Sequence, residues 1–350
     1  MSINNRVLTF DFMRALGIII ILLHHLPEYT FNYYNLNFLG IPLNLSPLNE
    51  LNRYLGLGLF IFLSGYLLNL KKPRFNTLES AKTFLQKRFM RIFPLYYLAL
   101  LFFFYIHDFW NPLHIGIYLL GLQGIINAPI PSPLPTLWFI GLLVAYYSFF
   151  VLLMAKKWTE TQQIILALSS GIGIFIINQF FPVADFRLIL YIWVFLLGIY
   201  SAEYNIFQTK VWLKFGGLTV PLFVSTLLIL FHIESQQSIV IEYLPGYLLI
   251  NFLMVTFILS LYYCAERFCQ KFQLPPWVMS ISYSSYCVYL FHRPLLWFMD
   301  GLLHKVLGDN NERLIFSLLL TVGIGIIFIA AHLLQSIYDS YGLPYLSGKK

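Results

Sequence analysis

Apolar residues run through this chain in long blocks, not in the short alternations of a soluble fold. A helix that crosses a bilayer needs about 20 mostly apolar residues. Ten segments reach or approach that length: residues 8–29, 54–70, 92–107, 135–155, 162–181, 187–203, 212–233, 244–265, 279–303 and 312–337. The pattern predicts an all-α, polytopic integral-membrane bundle of about ten transmembrane helices. An eleventh apolar stretch, Leu113 to Ile126, is shorter and lies between Pro112 and Pro129. That length fits a re-entrant or interfacial piece better than a span.

Charged positions give this pattern a direction, because cytoplasmic loops collect Lys and Arg. With the N-terminus inside, ten spans place 17 of the 22 basic residues and 6 acidic ones on the cytoplasmic side. The outer side then holds 5 basic and 9 acidic residues. Treating 113–126 as a full span would reverse every later loop and destroy the agreement. Both termini are therefore expected to be cytoplasmic. No loop is long enough for an appended soluble domain, so residues 1–350 are expected to form a single transmembrane domain.

Composition agrees. The chain of 350 residues is 59% hydrophobic and 19% aromatic, with 11% charged residues, against roughly 25% in an average soluble domain. Mean hydropathy is +0.73. A cytosolic enzyme, a secreted disulfide scaffold and a disordered chain are excluded. The net charge of +7 is mostly an orientation signal, and nucleic acid is not expected as a partner. Cys264, Cys269 and Cys287 form no CxxC pair and show no zinc-like spacing to histidine, so no metal site is expected. The first apolar run lacks an A-x-A-like site and is interrupted by Asp11 and Arg14. It reads as a retained helix, not a signal peptide.

Ionisable side chains inside spans cost about 2.5–3.5 kcal/mol on insertion scales, so they mark the places to seek function. In the first span, Arg14 and His25 are eleven residues apart. They fall on nearly one helical face, about 16 Å apart along the axis, while His24 points about 80° away. This pair either faces a common cavity or anchors the two ends of the helix at the interfaces. Arg88 and Arg91 share a face just before Pro94 and the third span. Two guanidiniums beside a helix start would suit a phosphate or pyrophosphate, or would anchor the chain to anionic lipid. Ser285, Tyr289 and His292 form one stripe of the ninth span, either a polar cavity or helix–helix glue. Residues 56–68, GLGLFIFLSGYLL, read mainly as a close-packing surface.

Taken together and in order, these places resemble the bacterial acyltransferase-3 family, integral-membrane O-acyltransferases of surface polysaccharides. The family's Arg, ten residues, His pattern falls on Arg14 and His25. Its glycine- and phenylalanine-rich stretch falls on Gly56 to Gly65, and its R-x-x-R-I-x-P-x-Y motif on Arg88, Arg91, Ile92, Pro94 and Tyr96. The late S-Y-S-x-Y-x-x-Y-L-x-H-x-P pattern falls on Ser282, Tyr283, Ser284, Tyr286, Tyr289, Leu290, His292 and Pro294. Leu137 to Phe139 match the family's L-W-F, which adds Trp138 to the candidate cavity residues. Many members carry a Glu after that stretch, where this chain has Leu143.

The resemblance implies transfer of an acyl group, most often acetyl, from cytoplasmic acyl-CoA to a hydroxyl of a carbohydrate such as exopolysaccharide, O-antigen or lipid-linked sugar. It implies a multi-pass protein of the inner (plasma) membrane. Acyl-CoA, usually acetyl-CoA, would be the donor substrate, and no permanently bound cofactor is expected. Arg88, Arg91 and Arg14 would meet the donor. His25 would act as general base or carry the acyl group covalently, with Arg14 beside it in the catalytic set. Glu28, three residues on, is not assigned an orienting role. An exporter of polysaccharide or lipid-linked sugar on the same fold is the alternative from another class.

Overall fold

In a computed structural model the chain is described over residues 3–28, 35–38, 41–107, 111–125, 136–155, 157–181 and 184–346. The termini with Lys349 and Lys350, the end of the short apolar stretch at Ile126, Pro129 and Lys156 lie outside the described residues. Helices dominate: α1 (Ile3–His25), α2 (Ser46–Asn69), α3 (Leu78–His107), α4 (Pro112–Leu119), α5 (Trp138–Leu153), α6 (Glu160–Phe180), α7 (Phe186–Glu203) and α8 (Lys210–Phe215). They continue with α9 (Thr219–Gln236), α10 (Leu244–Lys271), α11 (Pro276–Leu307), α12 (Glu312–Leu318), α13 (Ile324–Ile337) and α14 (Leu343–Leu346). One small hairpin, β1 (Asn35–Phe38) and β2 (Ile41–Asn44), pairs antiparallel with Asn35 opposite Asn44. The fold is an all-α membrane bundle.

Among the described residues, eight helices are long and apolar enough to cross a membrane. The other two expected spans fall on α5 and α11. Helix α5 is apolar but has only 16 residues, about 24 Å against a hydrocarbon core of about 30 Å. Helix α11 has 32 residues, about 48 Å, and is diluted by the serines, histidines and Arg293 considered below. The short apolar stretch forms α4, eight residues opened by an Asn111 cap and Pro112. At about 12 Å it is too short to span.

One expectation is overturned. Pro94 does not open the third span; it lies inside α3, which runs unbroken from Leu78. The helix start is at Thr77 and Ser80, whose hydroxyls each accept the other's backbone N–H, a reciprocal cap that satisfies the orphan donors there. The basic run from Lys82 to Arg91 is helix-forming, and Pro is tolerated within membrane helices. The amphipathic segment and the span therefore fuse. Arg88 and Arg91 sit more than two turns inside a helix, and the anion argument from unpaired N–H groups does not apply to them.

The described chain packs into two compact units. One gathers described residues of 1–60, 215–239 and 252–342, with α1 and α13 both lying along α11. Met13, Ile18 and Ile21 from α1, Val288, Leu290 and Leu296 from α11, and Ile327 and Ala331 from α13 are buried in it.

The other unit gathers described residues of 61–214, 240–251 and 343–350. In it the later part of α2 lies backbone to backbone with α7. A Cβ on Gly65 would stand 2.4 Å from the Phe195 carbonyl oxygen, and one on Gly198 would stand 2.2 Å from that of Phe62. This is small-residue packing of the kind membrane helices use. At the end of that contact Asn69 donates to Glu203 Oε2 (2.8 Å) and Arg74 to Glu203 Oε1 (2.6 Å), fixing the loop that follows α2. We expect Gly198→Val to destabilise the protein by about 1–3 kcal/mol or more, since the obstacle is backbone. A thermal melt of detergent-purified protein checks this, and an unchanged midpoint would rule out the tight α2–α7 crossing.

Candidate active site

The polar residues of α1 meet those of α11. Helix α1 ends in a tighter turn, Leu26–Glu28, which brings the Glu28 carboxylate back over His25. The His25 Nδ1 and Glu28 Oε1 atoms are 2.9 Å apart. An ionised carboxylate only accepts, so Nδ1 carries the hydrogen and Nε2 keeps its lone pair. From α11, Arg293 clamps the same carboxylate: Nη1 lies 3.3 Å from Oε1, and Nη2 donates to Oε2. Nη1 also lies 3.1 Å from His25 Nδ1. A guanidinium only donates, so Arg293 competes with the imidazole hydrogen at that nitrogen, and the shorter contact to Glu28, 2.9 Å, is the one that assigns the tautomer. Glu28 thus takes the orienting role that sequence spacing alone does not assign. Its signal is the H-x-x-E spacing at a helix end, which is legible but common.

Next to Arg293 on α11 is His292, with no exposed surface. Its Nδ1 lies 2.8 Å from the Tyr289 carbonyl and 3.1 Å from that of Val288. Carbonyls only accept, so this nitrogen also carries the hydrogen. The rings of His25 and His292 are 5.2 Å apart by centroids, and Tyr289 is 6.1 Å from His292. Tyr289 and Ser285 are buried on the same stripe, where the Ser285 hydroxyl donates to the Ser282 carbonyl at 2.8 Å. His24 faces elsewhere: its Nδ1 is 3.0 Å from both the backbone and the side-chain oxygen of Asn49 on α2.

Three turns back along α1, Arg14 donates to Asp11 Oδ1 and to Ser282 Oγ, both at 3.1 Å, and Ser282 donates to Asp11 at 2.7 Å. A cation, a carboxylate and a hydroxyl close on one another at the α1–α11 seam, which lets a charge sit within an apolar helix. The two ends of the R-x10-H pattern thus meet the same partner helix. Asp11, which carries much of this arrangement, stands out in the sequence only as the i,i+3 neighbour of Arg14, and Arg293 only as a charge within the ninth apolar segment.

The remaining candidates belong to the other compact unit. Arg88 lies over the Phe84 ring at 5.3 Å, and Arg91 is exposed. Trp138 opens α5 and carries the Arg187 guanidinium 4.2 Å above its ring. Arg187 is in turn held by Asp185, the cap of α7, through Nε at 2.9 Å and Nη2 at 2.5 Å. Leu143 is buried in α5 and supplies no carboxylate.

Long apolar helices, with a half-buried imidazole in contact with a carboxylate on one seam, define a multi-pass membrane protein with a polar site within an apolar bundle. The model of the acyltransferase-3 family, described as an acyltransferase domain, matches residues 7–332. The chain belongs to that family and is a membrane acyltransferase. It therefore has an acyl donor and an acceptor as partners, in a lipid bilayer. Comparison with curated proteins and with solved structures returns no match.

The Glu28 contact makes a direct prediction. A carboxylate that fixes tautomer and stabilises the imidazolium is worth far more than a neutral amide in its place. Glu28→Gln should lower the acyl-transfer rate by about ten- to a hundredfold with normal amounts of protein in the membrane. A wild-type rate would make Glu28 a headgroup-facing residue only.

Proposed function

We propose that this acyltransferase moves an acetyl group from cytoplasmic acetyl-CoA to a hydroxyl of a cell-surface or lipid-linked carbohydrate, with His25 as general base. The single observation that carries the reading is the His25–Glu28 contact of 2.9 Å. It leaves the Nε2 lone pair to take a proton from a hydroxyl that is a poor nucleophile at neutral pH. The step balances without a cofactor. The hydroxyl loses its proton to Nε2 as its oxygen bonds the thioester carbonyl carbon; the C–S bond then breaks and the thiolate recovers a proton. Both routes open from sequence, direct transfer and an acyl-histidine, use that lone pair, and the reading proposed here is direct transfer.

The distribution of basic residues supports a protein of the inner membrane with residues 71–91 in the cytoplasm. Arg88 and Arg91, on one face of α3, are the groups we assign to the phosphates of the donor, now as a cationic pair and not as part of a helix terminus. Arg14, tied to Asp11 and Ser282, is assigned to the donor on the α1–α11 seam that also carries His25.

The test is transfer of label from radioactive acetyl-CoA to the glycan fraction of membranes holding the protein. His25→Ala should reduce transfer at least about a hundredfold, whereas His24→Ala, whose ring serves Asn49, should remain largely active. Equal behaviour of the two variants would overturn the assignment. Arg88→Gln with Arg91→Gln should raise KM for acetyl-CoA with little change in kcat, because charge-assisted bonds to phosphate are made in ground and transition states alike. An unchanged KM would return the pair to lipid anchoring.

A further inference from the structure

One buried group is unused by this reading. His292 has no exposed surface, and its Nδ1 hydrogen is committed to two carbonyls of its own helix. Turning the ring over would break those bonds, so Nε2 keeps its lone pair. That nitrogen is buried and has no hydrogen-bond partner among the described residues. A buried acceptor left unmatched costs stability, and such an atom 5.2 Å ring to ring from a catalytic imidazole has a ready use. Glu28 holds the other nitrogen of His25, so His25 can offer substrate only Nε2. A second base beside it can hold the proton while the sulfur departs.

We propose that His292 is the second proton site of the acyl transfer. His25 Nε2 takes the hydroxyl proton, and the Nε2 lone pair of His292 then accepts it. The resulting His292 imidazolium delivers it to the sulfur. The acceptor O–H and the C–S bond break, while the ester C–O and thiol S–H bonds form. The electron pair of the C–S bond leaves with sulfur, and nothing is oxidised or reduced. The two rings divide one task, each anchored through Nδ1, one to a carboxylate and one to backbone, with Nε2 left for the moving proton. The proposal rests on the acyl-transfer reading of His25 given above.

The test uses the whole protein in proteoliposomes, with acetyl-CoA as donor, water as surrogate acceptor and thiol release as the signal. His292→Asn retains an amide donor for the backbone carbonyls but places nothing at the Nε2 position. His292→Gln can place an acceptor there but cannot take up a proton. Both variants should lower kcat about tenfold or more with KM for acetyl-CoA unchanged. An unchanged KM for acetyl-CoA shows that a variant is folded and binds donor, and His292→Asn and His292→Gln serve as independent readings. A wild-type kcat in His292→Gln, in protein with unchanged KM, overturns the proposal. His25→Ala run alongside separates the two ideas. An inactive His25→Ala beside a fully active His292→Gln removes only the relay, whereas a fully active His25→Ala removes the reading on which it rests.

Discussion

A charge or an imidazole placed in an apolar helix must find its partner inside the protein, because the bilayer core supplies no water to replace one. The seam between α1 and α11 is built around that requirement. At one end the Arg14 guanidinium, the Asp11 carboxylate and the Ser282 hydroxyl close on one another. At the other, Glu28 is shared by His25 and Arg293. Between them Ser285 and Tyr289 continue the polar stripe at helical spacing. A second face of α11 does the same toward α13 and the turn that follows it: Ser280 meets His332 at 2.8 Å and Cys287 meets Gln335 at 3.2 Å on α13, and Tyr283 meets Asp339 just beyond it at 2.8 Å. Helix α11 is thus held from two sides by polar contacts, and its length and polarity follow from that position.

On the function proposed above, the same pairing shapes the chemistry. Hydrogen bonds that satisfy buried groups also fix which nitrogen of each imidazole carries the hydrogen, so the acceptor atoms are oriented before substrate arrives. A group held this way needs little reorganisation at the moment of reaction, which is the usual source of catalytic advantage in a low-dielectric site. Stability and reactivity here rest on one set of bonds. Arg293 illustrates the balance: it secures the carboxylate that orients His25, yet its positive charge opposes an imidazolium beside it. Glu28 is the group that offsets that repulsion.

Much of the fold is legible in the sequence, because hydrocarbon imposes length and composition on every span. Each of the ten expected segments falls largely on helix, and the short stretch after Pro112 is indeed too short to cross. The error lies at Pro94. Proline usually marks a helix start in soluble proteins, but in an apolar bundle the ladder tolerates its missing N–H, and the Thr77–Ser80 cap sets the true start. The site is partly legible. Helical arithmetic on Arg14, His24 and His25 separates the two histidines, which do serve different partners. It does not reveal that Glu28 folds back, since that depends on the tighter turn after His25. Nor does it reveal Arg293, whose role arises from the register between α1 and α11.

The central claim is that His25 Nε2 is the base that takes the acceptor's proton as the acyl group passes to its oxygen. The most direct measurement is an experimental structure of the protein in lipid nanodiscs with a thioether analogue of acetyl-CoA, which cannot lose its acyl group. The account predicts the analogue's carbonyl group one hydroxyl's width from His25 Nε2, with the Nδ1–Glu28 contact retained. An analogue whose carbonyl lies against other residues, with His25 still bonded to Glu28 and remote from it, would contradict the account.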